Sequence, residues 1–278
     1  MSTNKDAMMP PFSATQAVKD ALSLALRRFP LLLLVSLVGT LLAVAILAMG
    51  LAPLAAWGNG LATPGGWTTP PASLYPTLLL ALLGFAYAAS AQIAVLGLDV
   101  RGRGNGVVDA LWVGLKGLPA LLFGYLALSA LYICALVLGG IAVAAFDMMG
   151  LIVMGALFLG ALFVQIVLLP WPFLAVVEGR SLSAFATARA ITRGRRGAIF
   201  GGLLLLLLAL FGIAVAGGLL AMMLGAVVGI FSYEGTLVAG IVAGLVQMLF
   251  HGYSGAATLA YIAVVYEQRV FLDDGHDA

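Results

Sequence analysis

The sequence predicts an all-α integral membrane protein with six transmembrane helices, arranged as three parallel repeats of an amphipathic cytoplasmic helix plus a transmembrane hairpin. Three observations predict it. Of 278 residues, 63% are hydrophobic and only 9% charged, and the mean hydropathy is +1.16, far outside the range of soluble domains. The apolar residues gather into six runs long enough to cross a bilayer. All 13 Lys and Arg residues fall on one side of the layout those runs imply.

A helix rises about 1.5 Å per residue, so about 20 apolar residues cover the ~30 Å of hydrocarbon. The six runs are Pro30 to Trp57, Tyr75 to Leu98, Leu118 to Phe146, Leu151 to Val177, Ala198 to Phe231 and Thr236 to Tyr266. The first begins too late and runs too long for a cleavable signal peptide, so it is read as a retained anchor. Pro170 and Pro172 are expected to kink the fourth run. Residues 1–11 read as a disordered tail, 12–270 as one membrane domain and 271–278 as an acidic tail.

The basic residues are Lys5, Lys19, Arg27, Arg28, Arg101, Arg103, Lys116, Arg180, Arg189, Arg193, Arg195, Arg196 and Arg269. By the positive-inside rule their side is cytoplasmic, which places both termini inside. The opposite loops carry only Asp147, Glu234 and the uncharged stretch Gly58 to Pro71.

Shifting the chain so that Val18 lies over Val107 aligns Asp20 with Asp109, Ala21 with Ala110, Leu22 with Leu111, Leu26 with Leu115 and Pro30 with Pro119. The repeats are read as 12–101, 107–180 and 181–269, the register of the third being the loosest. The first amphipathic helix has Ser13 as cap with Gln16 three residues on, and an apolar stripe of Val18, Leu22, Leu26 and Phe29. The second stripe is Val108, Leu111, Trp112, Leu115 and Leu118. The third has Leu182, Phe185, Ala188 and Ile191 on one face and Arg189, Arg193 and Arg196 on another. Each returning span closes with an acid, any residue, then arginine: Asp99-Val-Arg101, Glu178-Gly-Arg180 and Glu267-Gln-Arg269. Repeats that all start and end inside imply a pseudo-symmetry axis along the membrane normal.

The acid-x-Arg signature has two readings. In the first it marks the membrane boundary, the arginine reaching the headgroups and the carboxylate pairing with a basic residue on an amphipathic helix. In the second, a ring of charges takes an anionic ligand or partner. Arg101, Arg180, Arg189, Arg193, Arg195, Arg196 and Arg269 are therefore the candidate contacts for anionic phospholipid or for a membrane protein partner.

Gln165, Gln247 and His251 form the candidate intramembrane polar site. Gln247 and Ser254 flank His251 on one helix face. The histidine is expected either to bond across helices to Gln165, Tyr125, Tyr132 or Ser129, or to serve as a proton relay or ligand contact. Gly225 with Gly229 and Gly240 with Gly244 are small-residue pairs suited to close helix packing, within the third hairpin or between copies in a homo-oligomer. The single cysteine, Cys134, permits no disulfide and no Cys-based metal site. No nucleophile–base spacing, phosphate loop or metal motif is present, so no catalytic residue, cofactor or metal is expected, nor any nucleic acid partner.

The segment Phe173-Leu-Ala-Val-Val-Glu178-Gly-Arg-Ser-Leu-Ser-Ala-Phe-Ala-Thr-Ala-Arg189-Ala-Ile-Thr-Arg193-Gly resembles the six-span bacterial membrane proteins related to the membrane domain of glycerophosphoryl diester phosphodiesterases. In those a Glu-Gly pair and a short helix ending in a Thr-Arg-Gly-like sequence likewise join the fourth and fifth spans. The aromatic that the family usually carries before the position of Arg193 is missing. The resemblance implies a six-span layout without the fused catalytic domain. It carries over no catalytic residue. The function expected is a non-catalytic scaffolding, regulatory or envelope-homeostasis role. The alternative is a small transporter or lipid-handling protein with a pathway near His251.

Overall fold

A computed structural model describes residues 12–50, 55, 57, 72, 74–102, 106–231 and 235–274, with the backbone alone for 229–231, 235–237 and 268–274. Residues 1–11, the whole Gly58 to Pro71 stretch, Arg103, Glu234, the tip of the C-terminal tail and the side chain of Arg269 lie outside the described residues. Among the described residues there are seven helices and no strand: α1 Ala14–Met49, α2 Leu74–Val100, α3 Val107–Val167, α4 Trp171–Val177, α5 Ser183–Thr192, α6 Arg196–Phe231 and α7 Gly235–Asp274. Five of them, α1, α2, α3, α6 and α7, are long and apolar enough to cross a membrane. The chain is thus a multi-pass, all-α membrane protein.

The expected third run and the part of the fourth from Leu151 to Val167 lie in α3, and the rest of the fourth lies in the following turn and α4. The 61 residues of α3 would extend ~90 Å if straight, about three times the hydrocarbon thickness. It is not straight: Asp147 has φ 44° and ψ −119°, a non-helical conformation. A Cβ placed on Gly139 would lie 2.6 Å from Met154 Cγ. A straight helix would hold those residues roughly 22 Å apart, so the two arms fold back against each other. The expected kink at Pro170 and Pro172 is a full interruption. α3 stops at Val167, and three turn residues precede α4, because neither proline can donate a helical hydrogen bond.

The first two amphipathic leaders are not separate helices, whereas the third is α5. Ser13 caps α1, accepting from Gln16 N–H at its hydroxyl (3.4 Å) and from Ala17 N–H at its carbonyl (2.9 Å). The Gln16 carboxamide turns forward and donates to Asp20 (2.8 Å). From there α1 runs unbroken through Pro30, and α3 through Pro119. The apolar stripes divide between inside and outside, with Val18, Ala188 and Ile191 buried. Leu26 is 67% exposed and Val108, Trp112 and Leu115 are likewise exposed, whereas Ala17, Ala21 and Ala25 of α1 and Ala110, Gly114 and Gly117 of α3 are buried. Lipid is as apolar as leucine, so nothing drives large side chains inward, and small residues win the interior by letting backbones approach. Residues aligned by the repeat share their burial: Ala21 with Ala110, and Leu32 with Leu121, are inside, while Leu26 and Leu115 are outside.

The described residues form two compact units. One is Pro30–Ala127 with Pro172–Ala184. In it α1 and α2 lie antiparallel at backbone distance. A Cβ on Gly39 would be 2.5 Å from Ala88 Cβ, and one on Gly84 would be 3.0 Å from Ala43 Cβ. The start of α3 is tied to α2 by Ser90, fully buried, whose hydroxyl donates to Gly114 C=O (2.7 Å), and by Tyr87, whose hydroxyl donates to Leu111 C=O (3.3 Å). The buried Phe173 and Val176 of α4 sit against Gly97 and Gly117.

The other unit is Met1–Phe29, Leu128–Trp171 and Phe185–Ala278. Here α6 and α7 pair along their length. Tyr261, fully buried, donates to Ile199 C=O (2.7 Å), and Phe250 lies over Gly217. Tyr253 donates to Leu22 C=O (3.2 Å) and meets the Phe29 ring edge-on at 5.8 Å. The buried Trp171 stacks at a tilt with Phe185, 5.5 Å between centroids.

Candidate functional sites

The charged signature is assembled around Glu178. Its Oε1 accepts from Arg101 Nη2 and its Oε2 from Arg180 Nε, each at 2.8 Å. The carboxylate is only 8% exposed, against 22% for the Arg101 side chain and 40% for that of Arg180. Gly179, at φ 65°, makes the left-handed turn that lets Arg180 double back beside the residue two before it. Arg180 N–H reaches Leu174 C=O (3.2 Å) and closes α4. A buried carboxylate between two guanidiniums is a charge-assisted joint. Arg101 and Arg180 are therefore engaged with Glu178, which pairs with arginines of the signature itself where the boundary reading expects a base on an amphipathic helix.

The basic helix α5 differs. Ala184, Ala188 and Ile191 are buried on one side, while Arg189 and Arg193 are exposed. Arg195 and Arg196 are half-buried, and the Arg196 guanidinium lies 5.7 Å from the centre of the Phe163 ring. The residue that sequence reasoning missed is Thr192. It is fully buried, and its hydroxyl donates to Val167 C=O (2.8 Å), one of the end carbonyls of α3 that have no helical partner. The signal was present in Ile191-Thr-Arg193-Gly194, where the eye goes to the charge. Gly194 takes φ 78° and starts the turn into α6.

The intramembrane polar residues divide into two places. Gln165 accepts a hydrogen bond from Tyr132 (2.6 Å) across the two arms of α3. His251 bonds none of Gln165, Tyr125, Tyr132 or Ser129, which corrects that expectation. Its Nδ1 lies 2.9 Å from the Gln247 C=O one turn earlier. A carbonyl only accepts, so Nδ1 carries a proton, and in the neutral ring Nε2 is then the acceptor nitrogen. Ser254 donates to Phe250 C=O (2.9 Å) by the same i−4 pattern. His251, Gln247 and Ser254 line a cleft of about 290 Å³ between α6 and α7. Its other walls are Leu207, Leu210, Phe211, Ala214, Gly217, Gly218 and Phe250. Cys134 is an exposed free thiol. Among the described residues no group of His, Cys, Asp and Glu could hold a metal ion.

No family model, curated protein or solved structure matches this chain.

Proposed function

We propose that this chain is a non-catalytic inner-membrane protein with six crossings and both termini cytoplasmic, serving a scaffolding, regulatory or envelope-homeostasis role by holding anionic phospholipid at its basic cytoplasmic helix. The observation that carries the reading is the division of labour among the arginines. Arg101 and Arg180 serve Glu178, whereas Arg189 and Arg193 present their charges outward from a helix anchored on its other face. Each such charge near an anionic leaflet contributes about 1 kcal/mol of attraction.

Six crossings are supported by the reversal at Asp147, which turns α3 into two arms of spanning length. The three-repeat reading is supported by the matched burial at Ala21 and Ala110. The resemblance of the Phe173 to Gly194 segment to the phosphodiesterase-related six-span proteins points the same way. A rival reading, a small transporter or lipid-handling protein, is favoured by the cleft at His251.

Native mass spectrometry of the protein released from its own membranes tests the proposal. Retained phosphatidylglycerol or another anionic phospholipid, lost in the Arg189→Gln, Arg193→Gln double variant, is the expected result. Equal retention by both proteins, or retention of a protein partner in place of lipid, would overturn it.

A further inference from the structure

Independently of the basic helix, we infer that the cleft between α6 and α7 at His251 binds an uncharged lipid whose head group donates hydrogen bonds, such as a hydroxyl-bearing acylglycerol. The cleft combines an apolar wall with polar groups of one dominant character. Nδ1 of His251 is committed to the Gln247 carbonyl and the Ser254 proton to Phe250 C=O. What they present outward is therefore the Nε2 lone pair and the Ser254 Oγ lone pairs, both acceptors. The Gln247 carboxamide beside them lines the same cleft and brings a further acceptor oxygen together with two N–H donors. These groups stand near the middle of the apolar stretch Val238–Glu267.

Polar atoms in that position need partners that water does not supply. The opposite wall provides room for one. Gly218 lines the cleft, and a Cβ built there would meet nothing within 4 Å, while Leu210 and Phe211 offer apolar contact for an acyl chain. A phosphate-bearing head would carry a full charge to the same depth, which hydrocarbon resists strongly. A hydroxyl head with apolar chains matches both the acceptors and the depth.

The full chain in phosphatidylcholine nanodiscs, exposed to a diazirine-bearing diacylglycerol and irradiated, reads this out by peptide mapping. Label concentrated on the Leu207 to Gly218 and Gln247 to Ser254 peptides is expected, displaced by unlabelled diacylglycerol but not by phosphatidylglycerol. His251→Leu should lower the cleft label about five-fold, the equivalent of one hydrogen bond. Gly218→Leu, which fills the space and leaves the acceptors intact, should lower it at least as far. Label spread evenly over the outward helix faces of the unaltered protein, or equal competition by phosphatidylglycerol, would overturn the site. Neither of those readings depends on a variant folding.

Discussion

Glu178 and Arg101, 77 positions apart in the chain, meet at 2.8 Å with the carboxylate almost wholly buried. The contact joins the end of α4 to the end of α2 within one compact unit. Arg180 takes the other oxygen, so the carboxylate is shared between two guanidiniums.

That geometry sets an order of severity for substitutions. Arg101→Ala leaves a buried carboxylate with one cation fewer and should cost about 2 kcal/mol, the range of a hydrogen bond to a charged group. Arg101→Lys retains a charge and a donor, so most of the stability should survive. Thermal unfolding of the purified protein in detergent measures both, and a lysine variant as unstable as the alanine one would show that the joint needs the guanidinium itself and not only its charge.

The approach of α1 to α2 has no room for even a methyl group at Gly39. Gly39→Ala should therefore destabilise by about 1–3 kcal/mol through overpacking. Gly140→Ala, where a Cβ meets nothing within 4 Å, should be neutral or stabilising, since alanine favours helix. If the two variants melted at the same temperature, the close contact at Ala88 would not exist in the protein.

At Asp147 the backbone holds φ 44° and ψ −119°, a region that L side chains rarely adopt. Asp147→Gly should raise stability by about 1 kcal/mol. A fall in melting temperature would mean that the aspartate side chain contributes more than the strain removes.

The same residue locates a side of the membrane. On a Cys134→Ser background, a cysteine introduced at Asp147 should react with an impermeant maleimide added outside intact spheroplasts. A cysteine at the exposed Ser181 should react only after lysis. Reaction of both from one side would exclude the proposed topology.

Thr192→Val replaces the hydroxyl with a methyl of nearly equal size and leaves the Val167 carbonyl without its donor. A loss of about 1–3 kcal/mol is expected, with Thr192→Ser close to the original. The comparison is decisive because both replacements are small. Equal losses would assign the effect to packing.

Much of the layout was legible in the sequence, because hydropathy over ~20 residues reads a large and additive transfer free energy. α2, α6 and α7 cover their expected runs, α1 covers the first from Pro30 to Met49, and the reversal near Asp147 falls between the third and fourth. Which face turned inward was not legible. Leu26 and Trp112 formed a convincing stripe, yet amphipathicity distinguishes apolar from polar surroundings, and here both sides of the helix are apolar. Alanine and glycine spacing carried that information, as Ala17, Ala21 and Ala25 do. The partner of His251 was illegible for a different reason. A ring nitrogen satisfied by its own helix one turn back needs no distant residue, so a search for long-range partners points away from the answer. The charged signature was visible as a motif, but the split of one carboxylate between two motifs depends on the turn at Gly179.

The joint at Glu178 also has a place in time. A ribosome delivers Arg101 long before Glu178, and at ordinary elongation rates the 77-residue gap amounts to roughly 4–15 s. Throughout that interval the first hairpin has entered the bilayer with its terminal guanidinium still waiting for the buried acid. Closure of the unit that includes α1 and α2 therefore awaits the emergence of α4, and the insertion machinery must shelter a half-finished assembly until then.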